Sequence, residues 1–128
     1  MNILISPLSQ TPIYEQIKIQ IRELILSGTL KSGEQLPSIR LMAKDLKVGI
    51  ITVKRAYDDL CEEGITISAA GKGVYVADVD AERAKRIHLD MLYERLLEIK
   101  GFCEESNISK EDLDNLINKL YGGNNDGK

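Results

Sequence analysis

"SIRLMAKDLKVGIITVKRAYDDLCEEG", Ser38–Gly64, decides the fold. Ser38 can cap a short helix, because a serine oxygen accepts one of the unpaired N–H groups of a first turn. Ile39, Met42, Ala43 and Leu46 then share the inner side of that helix. "KVGI" breaks it with a connection of three or four residues, and a second helix follows that ends at Gly64, a residue type that tolerates the left-handed helix-ending conformation. On this helix Val53, Ala56, Tyr57 and Leu60 mark the inner face, which turns Ile50, Ile51, Thr52, Lys54, Arg55 and Asp58 outward. Two short helices joined so tightly form a helix-turn-helix, whose second helix is able to enter a DNA major groove.

Immediately C-terminal, Ile65-Thr66-Ile67 and Val74-Tyr75-Val76 are β-branched or aromatic runs around a small, glycine-rich tip, the pattern of a two-stranded hairpin. Gly71-Lys72-Gly73 at that tip invites comparison with a phosphate-gripping nucleotide loop. Such a loop needs four residues between its first glycine and Gly-Lys, then Ser or Thr, then a helix. Here six residues separate Gly64 from Gly71, Gly73 stands where the hydroxyl residue belongs, and a strand follows. The hairpin is read instead as a wing that lies against the DNA backbone or minor groove.

On the N-terminal side, "TPIYEQIKIQIRELILSG" opens with Thr11 as candidate N-cap and Pro12 in the first helical position, and closes on Gly28. Ile13, Ile17, Ile21, Leu24 and Ile25 fall on one face, so an amphipathic helix is predicted. "TLKSGEQLP" reads as a turn with a short extended piece, since the residue before Pro37 is pushed toward the β region.

From Asp80 to about Glu105 the chain reads as one long helix, with Leu89, Leu92, Leu96, Ile99 and Cys103 alternating at spacings of three and four. Met91 and Leu97 widen that stripe. A second helix begins at "NISKEDL", with Ser109 as N-cap and Asp112 in a capping-box position, and is apolar at Leu113, Leu116, Ile117 and Leu120. A helical pair this small cannot bury its own stripe, so it must pack on the winged domain or on a second copy of the chain, and dimerisation is the economical reading. A two-fold dimer would set two recognition helices about 34 Å apart on a pseudo-palindromic site.

The expected fold class is therefore mainly α with a small β-hairpin. A winged helix-turn-helix DNA-binding domain at 10–77 holds a recognition helix at 50–63 and a wing at 65–76. A two-helix dimerisation tail follows at 78–121, and 122–128 reads as a disordered polar tail. With 128 residues, 43% of them apolar, the chain can fill one core and an appendage. Residues 1–76 carry 9 basic against 8 acidic side chains and the remainder 8 against 12. Net charge thus gives no support to nucleic-acid binding, and the placement of the charges has to decide.

No stretch approaches the ~20 apolar residues of a membrane span, and "MNILISPLSQ" lacks the basic start of a secretion signal, so a cytoplasmic protein without membrane contact is expected. Cys61 and Cys103 read as buried thiols, and His88, the only histidine, has no metal-ligand neighbour at usable spacing, so neither metal nor cofactor is expected. Asp58, Asp59, Glu62 and Glu63 read as a solvated face with no nucleophile, histidine or metal ligand beside them, hence no catalytic site. Lys18, Lys44 and Lys47 read first as solvated lysines without a fixed partner. A protein-interaction adaptor is the alternative to a DNA reader, and a small enzyme the remoter one.

Pro12–Ala77 resembles the winged helix-turn-helix domain of GntR-family bacterial transcription regulators. The resemblance rests on the Pro-Ile-Tyr opening, Ser-Gly at the end of the first helix, Leu-Pro-Ser-x-Arg, Thr-Val-x-Arg-Ala-Tyr, Glu-Gly and Gly-Lys-Gly, in family order and spacing. The short remainder is similar to the YtrA-type subfamily, which carries a small helical tail. The resemblance implies DNA contacts at Ser38, Arg40 and Lys44, at Gly49, Ile50, Ile51 and Thr52 where bases are read, at Lys54 and Arg55, and at Ala70, Gly71, Lys72 and Gly73 on the wing. A homodimeric repressor is expected rather than an activator, since promoter occlusion needs no further surface, and the resemblance implies control of a neighbouring operon, often one encoding an ABC transporter. The tail leaves little room for a pocket, so an unidentified small-molecule effector is expected at the dimer interface or between tail and winged domain, the alternative being that regulation involves no small molecule. Many relatives have Ser or Thr then Arg where this chain has Gly49 and Ile50. Isoleucine offers thymine methyls an apolar contact where arginine would take guanine, so A·T pairs are expected opposite Ile50 or Ile51. One of these two isoleucines is alternatively expected to pack under the helix start.

Overall fold

The computed structural model of the protein describes residues 1–122. Along the chain run α1 (Ile13–Leu26), α2 (Ile39–Leu46), α3 (Ile50–Glu62), β1 (Thr66–Ala69), β2 (Gly73–Val76), α4 (Ala81–Glu105) and α5 (Lys110–Gly122). They divide into two compact units, Met1–Ala84 and a second beginning at Lys85. The expected 122–128 tail begins on Gly122, which closes α5; residues 123–128 lie outside the described residues.

The first unit is built on the periodic stripes. Ile17, Ile21 and Ile25 of α1 are buried, as are Met42 and Ala43 of α2 and Val53, Ala56, Tyr57 and Leu60 of α3. Each buried Ile, Leu, Val or Met among them contributes roughly 1.5–3 kcal/mol by leaving water. Ser38 caps α2 as expected, accepting from Leu41 N at 3.0 Å. The cap of α1 differs from expectation: the helix starts at Ile13, Pro12 stands at the cap, and no side chain caps the first turn. Thr11 does not cap the helix; its carbonyl accepts from the Gln16 side chain, Nε2, at 2.9 Å.

Gln16 and Gln20 do more than this. The Gln16 amide accepts from Ser6 N and donates to Ser6 O, and the Gln20 amide does the same for Leu4. These paired bonds strap the first residues along α1 and bury Ile3. The folded unit consequently takes in residues ahead of position 10.

The α2–α3 connection is three residues long, and its left-handed position is Lys47 (φ 59°), with Val48 N bonded to Ala43 O at 3.0 Å. The wing strands pair antiparallel, Thr66 opposite Val76 and Ala69 opposite Gly73. The short extended piece before Pro37 lies along β2: Leu36 N bonds Val74 O, Val76 N bonds Glu34 O and Gly33 N bonds Val76 O, each at 2.8 Å. Arg83, in the first turn of α4, donates to Gly64 O at 2.8 Å and Glu63 O at 3.3 Å, satisfying carbonyls at the end of α3.

In the second unit Ser109 and Asp112 form the reciprocal capping box: Asp112 N donates to Ser109 Oγ at 3.0 Å and Ser109 N to Asp112 Oδ2 at 3.1 Å. Asn107 (φ 57°) takes the left-handed position between the two helices, and Ile108 N returns to Cys103 O at 2.9 Å. Cys103 is buried, whereas Cys61, expected to be buried, is half-buried with its Sγ 3.1 Å from Thr66 Oγ1.

Candidate nucleic-acid interface

α3 presents its outer face as the spacing requires. Ile51 is 83% exposed and Ile50 47% exposed, so neither packs under the helix start. Thr52 is half-buried and Gly49 stands at the cap, where an added Cβ would meet only Thr52 Oγ1 at 3.8 Å. Gly49 is therefore not imposed by crowding, and its effect is to leave the helix start bare. Lys54 pairs with Asp58 one turn on at 2.7 Å, an exposed pair worth roughly 0.3–0.5 kcal/mol that a phosphate can displace.

Arg55 is held differently. Its guanidinium lies over the ring of Tyr14, on α1, at 3.7 Å from the centroid. That stacking fixes the long side chain from below and leaves its N–H fork open. The helical spacing of α1 gave no hint of it, because Tyr14 lies outside the buried stripe and its partner is on another helix.

The acidic cluster is a solvated face only in part, at the exposed Asp58 and Glu62. Asp59 and Glu63 turn toward α1, where Lys18 lies 3.5 Å from Asp59 and 3.6 Å from Glu63, and Arg22 lies 3.1 Å from Glu63. Lys18 also reaches Glu15 at 3.5 Å, so the expectation of a solvated lysine without a fixed partner fails for it. Burial would lower the Lys18 pKa, but Glu15, Glu63 and Asp59 together outweigh it and leave the ammonium above its ordinary value. Two carboxylates of α3 are thus occupied by α1, and the face that carries Lys54 and Arg55 is correspondingly less acidic than the sequence suggests.

Around α3 stand the other expected contacts. Arg40 is exposed on the first turn of α2 and Lys44 on the next, and the Ser38 hydroxyl is engaged in the cap. The position of α2 is fixed by Tyr57, whose buried phenol donates to Pro37 O at 2.7 Å; burial raises its pKa. At the wing Ala70, Gly71, Lys72 and Gly73 are all exposed, with Gly71 at φ 72° and Gly73 at φ 110°. Lys72 N closes the tip on Ala69 O at 2.8 Å. Arg40, Lys44 and Lys72 have no ion pair among the described residues, so their charges await a partner. Two clefts, of about 170 and 360 Å³, flank α1 and include none of these residues. The interface is a surface with protruding charge, suited to a duplex rather than to a small molecule.

Residues 13–76 match the family model described as bacterial regulatory proteins, gntR family. The chain belongs to the GntR family. It is therefore a DNA-binding transcription regulator with a winged helix, and not an enzyme. Within the GntR proteins it is 33% identical over 97% of its length to the HTH-type transcriptional repressor YtrA of Bacillus subtilis, covering 95% of that protein. Its fold is similar to that of a transcriptional antiterminator from Listeria monocytogenes, with a TM-score of 0.71 at 28% identity over 96% of this chain and 92% of that one. The DNA-binding domain of AraR, solved in complex with operator ORX1, matches with a TM-score of 0.52 at 29% identity, over 58% of this chain and 92% of that one. The similarity to YtrA thus runs through the residues of this GntR chain's helical tail as well as its winged domain.

The tail residues expected at a dimer seam fall into two groups. Leu89, Leu92, Leu96, Ile99, Leu116, Ile117 and Leu120 are exposed, between 40% and 75%. Leu113 is half-buried, and Cys103 is already buried within the chain, against the α4–α5 turn that begins with its own carbonyl. No helix among the described residues is long and apolar enough to cross a membrane.

Proposed function

We propose that the protein is a homodimeric repressor that occupies a pseudo-palindromic operator. Residues 10–77 would read the DNA and 78–121 would join the two copies. In each half-site α3 enters the major groove with Gly49, Ile50, Ile51 and Thr52 toward the base edges. Lys54, Arg55, Ser38, Arg40 and Lys44 engage phosphates, and the wing tip Ala70–Gly73 meets the neighbouring minor groove or its backbone. The observation that carries this reading is the outer face of α3, where the exposed Ile51 stands beside Lys54 and an Arg55 that Tyr14 holds in place. Ile50 and Ile51 favour A·T pairs through thymine methyls. The seven exposed tail residues expected at the seam support the dimer, since an apolar face of that extent is unusual on a monomer. The likeness to YtrA supports repression, and the subfamily resemblance points to a neighbouring operon encoding an ABC transporter as the target.

The test is fluorescence anisotropy on DNA from upstream of the protein's own gene, against a scrambled duplex, over a salt series. With about six phosphates neutralised per dimer, log affinity falls against log salt with a slope near −5, from about −0.9 per contact. Preference for the native duplex that survives near-physiological salt is the expected result. Weak binding indifferent to sequence would overturn the proposal.

A further inference from the structure

Lys72 is the only charge at the wing tip, and it sits in a three-residue connection bordered by Gly71 and Gly73, both at positive φ. Such a tip has little intrinsic stiffness, because glycine visits both halves of φ space at almost no steric cost. A lysine on a slack tip would lose much of its value as a phosphate contact, since ordering it on binding costs free energy.

The structure supplies the missing stiffness from elsewhere. Two donors converge on the Lys72 carbonyl: Gln35 Nε2 at 3.0 Å and the Tyr75 hydroxyl at 3.1 Å. A carbonyl oxygen has two lone pairs, so both can be accepted at once. Gly73 makes room for this: a Cβ there would lie 2.6 Å from Gln35 Nε2, and the amide could no longer reach the tip. Gln35 is itself anchored. It bridges to Tyr75, and its neighbours Glu34 and Leu36 carry the 2.8 Å bonds to Val76 and Val74. Just beyond come Pro37, held by Tyr57, and Ser38, the cap of the helix that presents Arg40. One short segment therefore fixes both the wing tip and the start of α2.

We propose that Gln35 is a positioning residue for DNA binding: its amide grips the Lys72 backbone so that the ammonium is presented in a set register with Arg40. This inference rests on the proposed contact between Lys72 and the DNA backbone. Gln35 itself makes no charged contact and acts through Lys72.

A double-mutant cycle in the full chain tests it, with anisotropy on the duplex from upstream of its own gene at low salt. Lys72→Ala weakens binding. Gln35→Met, which keeps the length of the side chain without a donor, weakens binding about three- to tenfold, as expected for one lost hydrogen bond and a side chain left to be ordered on binding. In the Lys72→Ala background Gln35→Met adds nothing, because the group it aims is gone. The melting temperature of Gln35→Met stays close to that of the parent, since the residue is exposed. A loss that persists undiminished without Lys72, or one matched by a fall in melting temperature, would mean that Gln35 has only a structural role and would overturn the inference. If Lys72→Ala weakens binding and Gln35→Met does not, the inference fails while the DNA-contact reading stands. If Lys72→Ala itself leaves affinity unchanged, the wing contact fails and the inference with it.

Discussion

Arg55 shows how little a residue's identity says about its availability. A free arginine side chain has many rotamers, whereas here the Tyr14 ring beneath the guanidinium at 3.7 Å selects one, an interaction worth roughly 0.5–1 kcal/mol at an exposed site. Tyr14→Leu should therefore lower DNA affinity about two- to fivefold, the equivalent of that stacking energy, while Tyr14→Phe, which keeps the ring, should bind as the parent does. Anisotropy with the three proteins distinguishes these outcomes. Arg40 is exposed and has no such platform. Arg40→Ala is expected to cost about tenfold or more in affinity and to leave the oligomeric state unchanged, which titration and sedimentation check together. Lys47 stands in the left-handed region at φ 59°, where a β-carbon is strained by roughly 1–2 kcal/mol. Gly49, the glycine of that turn, is extended at φ −72°, so the left-handed position falls two residues earlier, on a side chain.

At the scale of elements, α1 and α3 are joined twice over, by an apolar seam and by the ion cluster of Lys18 and Arg22 with Asp59 and Glu63. Leu60 is fully buried on α3, so Leu60→Ala should destabilise the fold by about 2–5 kcal/mol in denaturant titration, the lost transfer energy plus the cavity. The ion cluster and the Tyr57 phenol both bear on pH. Lys18 is raised above its ordinary 10.5 and Tyr57 above its ordinary 10.0, so the folded state keeps both protons to higher pH than the unfolded chain does. Stability from these groups is complete below about pH 10 and is lost as pH rises beyond it. Thermal melts should be level, as far as these groups are concerned, from about pH 8 to 10 and then fall. Tyr57→Phe should flatten the alkaline fall while lowering stability below about pH 10 through the lost bond to Pro37.

For the whole molecule the question is what the tail covers. Leu92 and Leu96 are exposed in α4 in line with Leu89 and Ile99, the seam expected between two copies. Leu92→Glu combined with Leu96→Glu should yield monomers by sedimentation, and the salt slope on DNA should drop from near −5 to about half that, since each monomer brings half the phosphate contacts. A dimer that survives both charges would mean that other surfaces join the copies. Cys103, expected in the same seam, is buried within its own chain.

The helix-turn-helix, the wing, the two tail helices and the cap residues Ser38 and Ser109 were legible in the sequence, because each is a local matter of periodicity, turn chemistry or hydrogen bonding within a few positions. So was the outward face of α3, for which the buried set Val53, Ala56, Tyr57 and Leu60 matches the reading from spacing. Only the tertiary structure joined Tyr14 to Arg55, Lys18 to Asp59 and Glu63, Gln35 to Lys72, and Gln16 and Gln20 to the first residues of the chain. These pairs link polar side chains to partners outside their own element. Hydrophobic periodicity specifies which face of a helix turns inward, but not which charged or amide group will lie opposite once the faces have met.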